Sequence, residues 1–252
     1  MKPSGNRSPV PATCFTWRSA SLTSQGNVRA HNEDAVLELP AAGLWVVADG
    51  MGGHNAGDVA SNAIVAALSS MVRHARPSVT LEEVEDRLNG VNEQLYRASL
   101  EEGGGVSGST VAVLIALERH VLSVWAGDSR VYRCRDGRLT QITSDHSETQ
   151  EMVAGGLMSP DEAETSESSN VITRAVGGAA ELFLDLALTE LRDGDQFLIC
   201  TDGLYRALPK HILQRLVADV EPRVICEALI RQALAGVCRD NATAIVVQFS
   251  GS

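Results

Sequence analysis

The stretch Val47-Ala48-Asp49-Gly50-Met51-Gly52-Gly53-His54 decides how this chain is read. The apolar run Leu44-Trp45-Val46-Val47 predicts a strand that delivers Asp49 to its end, with glycines directly after it and a helix from about Asn55. Glycine lets backbone pass close to a bound group and expose its carbonyls and amides. A carboxylate beside such a turn suits a hard cation, which prefers oxygen ligands. Taken alone, the stretch is equally compatible with an ordinary Asp-Gly turn.

Outward from there, the same arrangement recurs. Arg29-Ala30-His31-Asn32-Glu33-Asp34 stands just before the apolar Ala35-Val36-Leu37, and Thr201-Asp202-Gly203 closes the run Phe197-Leu198-Ile199-Cys200. Asp240-Asn241 opens Ala244-Ile245-Val246-Val247, and Gly127-Asp128-Ser129-Arg130 falls between Val121–Trp125 and Val131-Tyr132. Acids gathered at one rim of a strand framework repel each other unless a cation or basic group neutralises them. Magnesium and manganese suit such a rim, because carboxylate, backbone carbonyl and water are their preferred ligands.

The order RxxNED at 29–34, VADGMGGH at 47–54, GST at 108–110, GDSR at 127–130, TRAVG at 173–177, TDGL at 201–204 and DNAT at 240–243 resembles the metal-dependent serine/threonine phosphatases of the PP2C (PPM) family. The form DGMGGH, rather than DGHGG, is similar to the bacterial branch. The resemblance implies an α+β fold, a four-layer αββα sandwich of two antiparallel sheets flanked by helices, with a metal cleft at one end. It implies that Asp49 bridges two divalent cations, Mn²⁺ or Mg²⁺, that the Gly50 carbonyl ligates one, and that Asp202 and Asp240 hold the other. Glu33 and Asp34 approach the pair directly or through water, and Asp128 matches the acid that bacterial members use for a third, looser ion.

The reaction so implied is hydrolysis of phosphoserine and phosphothreonine in proteins by a cation-activated water, with no covalent phosphoenzyme. It would reverse the action of a cognate Ser/Thr kinase. Asp49 and Arg29 are the expected catalytic residues, Arg29 as a guanidinium fork on two phosphoryl oxygens. The bland alternative for Arg29 is a surface ion pair with Glu33 or Asp34. In the DGHGG branch a histidine after the Asp-Gly pair is the candidate general acid. Here Met51 holds that position and cannot donate a proton. His54 and Asn241 are expected to support the ligands from behind, and His31 and His146 to be structural or exposed.

Composition excludes several rivals. A net charge of −11 argues against a nucleic-acid binder. The two lysines, Lys2 and Lys210, supply neither a P-loop nor a Schiff base. Cys14, Cys134, Cys200, Cys226 and Cys238 form no CxxC pair and read as reduced thiols in a cytoplasmic chain, Cys200 as a core residue. No apolar run approaches the ~20 residues of a membrane span, and residues 1–13 read as a loose polar tail before a single domain at 14–252. A monomer is expected. Two other readings stand beside the phosphatase: a non-catalytic binding module that keeps the fold, and a metal-dependent hydrolase of small phosphate esters.

Periodicity predicts strands at Phe15–Leu22, around Val36 and Val46, and at Thr110–Leu117, His120–Ala126, Arg130–Arg135, Arg138–Ile142, Gln196–Cys200 and Thr243–Phe249. Helices are predicted from Asn55 to His74 with Val59, Ala63, Ile64, Ala67, Leu68 and Met71 on one face, and from a Thr80/Glu83 capping box onward. Later helices are expected at Pro209–Ala218 and Pro222–Ala235. Asp145–Val171 resembles the flap of bacterial members, with a short helix at Glu148–Ala154 and Ser159 as an N-cap. Its Glu167-Ser168-Ser169-Asn170 departs from the basic pattern of relatives.

Overall fold

Two antiparallel sheets stack face to face in the computed structural model, which describes residues 15–52, 56–74, 76–101, 107–159, 162–163, 171–218 and 221–251. The strands are β1 (Phe15–Ser24), β2 (Asp34–Leu39), β3 (Leu44–Gly52), β4 (Ser107–Ser109), β5 (Val111–Ala116), β6 (His120–Ala126), β7 (Arg130–Arg135), β8 (Arg138–Gln141), β9 (Asp185–Glu190), β10 (Gln196–Cys200) and β11 (Ala242–Gly251). The helices are α1 (Ala56–Leu68), α2 (Pro77–Glu101), α3 (Glu148–Ala154), α4 (Asp202–Ala207), α5 (Lys210–Val217) and α6 (Pro222–Ala235). One sheet runs β1-β11-β10-β7-β8; the other runs β2-β3-β5-β6-β9, with β4 paired to the end of β3.

The apolar runs are continuous rather than alternating because their strands are covered on both faces. In β3, Trp45 and Val47 point inward to the other sheet, where they meet Phe197, Ile199, Ile245, Val247 and Phe249. Leu44, Val46 and Ala48 point the other way, onto Ile64 and Leu68 of α1 and Val84, Leu88 and Val91 of α2. The outer face of the first sheet, with Leu198, Cys200, Ala244 and Val246, is covered by Leu213 and Val217 of α5 and Ile225, Leu229 and Ala233 of α6. Helices, sheet, sheet and helices are therefore the four layers expected. Full burial of each large side chain stabilises by roughly 1.5–3 kcal/mol.

Several local expectations shift. β3 does not stop at Asp49: it continues through Gly52, because Gly50, Met51 and Gly52 pair with Ser109, Gly108 and Ser107 of β4. α1 ends at Leu68 rather than His74. There Ser69 Oγ donates to the Ala66 carbonyl, and Arg87 of α2 donates to the Ala67 carbonyl at 2.6 Å. Its buried residues are Gly57, Ala60, Ser61, Ile64 and Leu68, while Val59 is exposed. The predicted capping box lies inside α2, which begins at Pro77, and Glu83 instead pairs with His74 and Arg87. β4, β9 and α4 were not anticipated. Pro222 does open α6, and Ser147 caps α3 by accepting from the Gln150 N–H. Ser159 and Glu162 form a reciprocal capping pair. The tail at 1–13, His54, Cys14 and the Glu167–Asn170 departure lie outside the described residues. Among the described residues no helix is long and apolar enough to cross a membrane.

Candidate active site

The acids converge because strand register sets them at one end of both sheets. Asp34, the first residue of β2, stands directly opposite Asp49 of β3. Asp34 Oδ2 accepts from Thr201 Oγ1 at 2.8 Å and from Thr243 Oγ1 at 2.6 Å, which ties the second sheet to the first at the acid rim. Thr201 follows β10 and leads into Asp202 at the start of α4; Thr243 follows Asp240-Asn241 into β11.

Backbone bonds fix Asp49. Its N–H donates to Thr110 Oγ1 at 3.1 Å, and its carbonyl accepts from Thr110 N and Ser109 Oγ, both at 2.9 Å. Next to it, Gly50 N–H donates to the Glu33 carbonyl at 3.1 Å. A Cβ on Gly50 would lie 1.9 Å from the Gly57 carbonyl oxygen, so only glycine lets α1 start against this strand. Glu33 and Asp240 are bound to the same loop by Asn241. Its Oδ1 accepts from Glu33 N at 2.8 Å, and its Nδ2 donates to the carbonyls of Gln25 and His31, both at 2.9 Å.

Arg29 does not pair with Glu33 or Asp34. Its Nη2 donates to Asp240 Oδ2 at 2.6 Å, and the side chain is half exposed. Asp128 is buried in the Gly127 turn, 3.5 Å from Arg206 Nη2, and Arg206 Nε lies 2.9 Å from Asp202 Oδ2. The turn is clamped by His146: its N–H donates to the Gly127 carbonyl at 3.0 Å, and its Nδ1 accepts the Gly127 N–H at 3.1 Å. His146 is thus buried and structural, stacked against Trp125 and 3.3 Å from Asp185. His31 is exposed, and Cys200 is fully buried in β10, where burial pushes its thiol up.

The electrostatics call for positive charge. Burial raises the Asp34 carboxyl to about 7 against the pull of its two threonine hydroxyls, and raises Asp128 to about 7 with Asp202 and Asp145 adding to it. Asp49 keeps a strip of solvent contact but is enclosed on most sides. Desolvation first, and then Asp34, Asp202, Asp128 and Asp240, push it well above the usual carboxylate range. Asp202 is raised by burial and by Asp240, against the opposing Arg206. Buried Oδ1 atoms of Asp34, Asp128 and Asp202 have no hydrogen-bond partner. Among the described residues, no three side chains form a ready-made cage for an ion. Magnesium-like cations do not require one, since they are held by one or two carboxylates and keep several waters. The orphaned oxygens of Asp34 and Asp202, the two acids that act most on Asp49, fit that demand.

A pH dependence follows with a definite sign. Asp34 and Asp128 hold their protons more tightly folded, at about 7, than at the ordinary value of 3.8. Their contribution to stability is complete below the ordinary value and is lost as pH rises through the folded one. In EDTA, chemical denaturation should give a stability that falls between pH 4 and pH 7, with a shallower fall in Asp34→Asn. Equal slopes for the two proteins would contradict the assignment.

Sequence reasoning quoted Thr201 and Thr243 inside motifs but gave them no role; the structure makes them the props of Asp34. Arg206 was missed altogether. Its signal was its place four residues after Asp202, one helical turn along α4.

A family model described as protein phosphatase 2C matches residues 23–235. The chain is 34% identical over 230 residues to the serine/threonine protein phosphatase PstP of Mycobacterium tuberculosis, covering 91% of this chain and 44% of that protein. It therefore spans less than half the length of that relative. Among solved structures it is similar to PppA, a key regulatory component of T6SS in Pseudomonas aeruginosa. The TM-score is 0.87 and the identity 38%, over 95% of this chain and 100% of the other. It is also similar to the catalytic domain of PstP in complex with 2 manganese ions, with a TM-score of 0.83 and 33% identity, over 94% and 99% of the two chains.

Proposed function

Because this chain belongs to the protein phosphatase 2C family of serine/threonine phosphatases, we propose that it hydrolyses phosphoserine and phosphothreonine esters in proteins with two divalent cations, Mn²⁺ or Mg²⁺. The observation that carries this reading is the convergence of Asp34, Asp49, Asp202 and Asp240, from both sheets, on one rim beside Arg29. When bound, the cations supply Lewis-acid charge that lowers the pKa of a water and stabilises the phosphoryl oxygens.

The chain's own residues divide the remaining work. Asp49 would face both cations, the Gly50 carbonyl one of them, and Asp202 and Asp240 the other, with Glu33 and Asp34 at the margin. Asp34 has one oxygen committed to Thr201 and Thr243, which aims the other, unpartnered oxygen and holds it still. Gly50 is kept bare because the Gly57 backbone at the start of α1 packs directly against it, which fixes the Asp49–Gly50 peptide in place. Arg29 offers a planar fork to the phosphoryl group, exchanging its contact with Asp240 for two oxygens of the ester. Met51, beside the acid pair, carries no titratable proton, so Asp-Gly is followed here by no side-chain acid. The substrates would be phosphorylated proteins, and a cognate Ser/Thr kinase would supply them.

The test is release of phosphate from a phosphothreonine peptide by the purified protein in Mn²⁺, Mg²⁺ or EDTA. Turnover with the metals and none in EDTA is expected. A folded protein inert with every metal would instead favour the binding-module alternative. Arg29→Ala is expected to lower kcat/KM for the peptide by roughly 10- to 100-fold, and Arg29→Lys to recover only part of it, because lysine brings the charge without the fork. Full recovery by lysine would reduce Arg29 to a point charge.

A further inference from the structure

The Asp128 arm of the rim already has a cation beside it. Arg206 sits one helical turn after Asp202 on α4, with Nε 2.9 Å from Asp202 Oδ2 and Nη2 3.5 Å from Asp128 Oδ2. Helical spacing fixes the first of these contacts, since residues four apart lie on one face. The second is fixed by Tyr205, the residue before it. The Tyr205 hydroxyl donates to the Asp128 carbonyl at 3.1 Å. Its ring lies under the Arg130 guanidinium at 3.7 Å, and Arg130 is held in turn by Asp145, with contacts of 2.9, 3.1 and 2.7 Å. The start of α4, the Gly127-Asp128 turn and the root of the flap are thus one packed unit, and the Arg206 side chain is only 31% exposed within it.

A third divalent ion does not fit this arrangement. It would share the Asp128 carboxylate with a guanidinium that already faces one of its oxygens. Asp202 also faces Arg206 but has Asp240 beside it to share an ion, whereas Asp128 has both Arg206 and Arg130 acting on it, and like charges in a partly dry site repel strongly. The guanidinium also cannot lose its charge, unlike a lysine.

We propose that Arg206 is the resident cation of the Asp128 arm, taking the place of a third divalent ion, so that the chain binds two ions and not three. The proposal rests on the two-cation reading above and adds a limit to it. Asp128 then serves to hold Arg206 against Asp202, and through Asp202 to keep the second ion's ligand in place.

The experiment is a count of bound Mn²⁺ at neutral pH, by calorimetry and by the electron paramagnetic resonance signal of the free ion. Wild type and Asp128→Asn should each bind two ions. Arg206→Gln should bind a third, roughly tenfold or more tighter than any residual third ion in wild type. Arg206→Lys, which keeps the charge, should stay at two, and Arg206→Gln combined with Asp128→Asn should return to two. A third ion in wild type that Asp128→Asn removes would overturn the proposal, and that comparison stands even if Arg206→Gln fails to fold. A folded Arg206→Gln that still binds two would overturn it as well. A wild-type chain that binds no Mn²⁺ would overturn the two-cation reading and this proposal with it, which is distinguishable from a miscount at the Asp128 arm.

Discussion

Asp49→Asn should abolish cation-dependent phosphate release, by at least about 1000-fold in kcat/KM, while leaving the fold intact. The substitution keeps the size of the side chain. The bonds that fix this residue are made by its backbone to Thr110 and Ser109, so they survive. What is lost is the charge on which Asp34, Asp202, Asp128 and Asp240 all act. The same loss relieves like-charge repulsion, so the metal-free variant should melt at or above the wild-type temperature. Added Mn²⁺ should raise the melting temperature of wild type and barely move that of the variant, since an ion that binds only the folded state stabilises it by mass action. Turnover within tenfold of wild type, or an undiminished Mn²⁺ shift, would remove Asp49 from the centre of the site.

Much of the fold was legible because apolar runs and turn signals are local. Val111–Ala116 and Phe197–Cys200 are apolar throughout, as strands covered on both faces must be, and Asp136-Gly137 marks the β7–β8 hairpin where Asp136 takes φ 52 and Gly137 φ 72. β9 escaped because Asp185–Glu190 alternates weakly, with Leu186 and Leu188 exposed on an edge strand. Of the face read for α1, Ile64, Leu68 and Met71 are buried and Ala63 and Ala67 pack against the same core, whereas Val59, favoured by its hydrophobicity, is exposed. The structure turns the glycine side inward, where Gly57 meets Gly50 and Glu33 at a distance no side chain would allow. Packing of backbone on backbone leaves no hydrophobic trace.

The site was legible as motifs but not as contacts. The acids were named from their places at strand ends, and their approach to one another follows from register, such as Asp34 opposite Asp49. Register depends on pairs far apart in the chain, so the hydroxyls of Thr201 and Thr243 on Asp34 could not be read from either segment alone. The same holds for Arg29, read as a phosphate clamp with an ion pair to its sequence neighbours Glu33 or Asp34 as the alternative, and found paired with Asp240, 211 residues away. Charge partners are chosen in space, and a loop that folds back, here anchored by Asn241 on the carbonyls of Gln25 and His31, brings distant partners closer than near ones.

Gly203→Ala should be the most damaging small substitution in the chain's acid rim, costing about 3 kcal/mol or more. A Cβ at Gly203 would lie 2.0 Å from the Asn241 carbonyl oxygen, 3.0 Å from its carbon and 3.1 Å from Asp240 Cβ. Two of those three atoms are backbone, so no side-chain rotation relieves the clash. Either α4 or the Asp240–Asn241 turn must move, and the movement separates Asp202 from Asp240. Stability and Mn²⁺ affinity should therefore fall together, read by denaturant midpoint and by calorimetric titration. Gly90→Ala is the matched control. Gly90 lies inside α2 with nothing within 4 Å of its would-be Cβ, so alanine there should stabilise by roughly 0.5–1 kcal/mol through helix propensity alone. If Gly203→Ala cost no more than the control gains, the close approach of α4 to the Asp240 turn would not be what sets the two acids side by side.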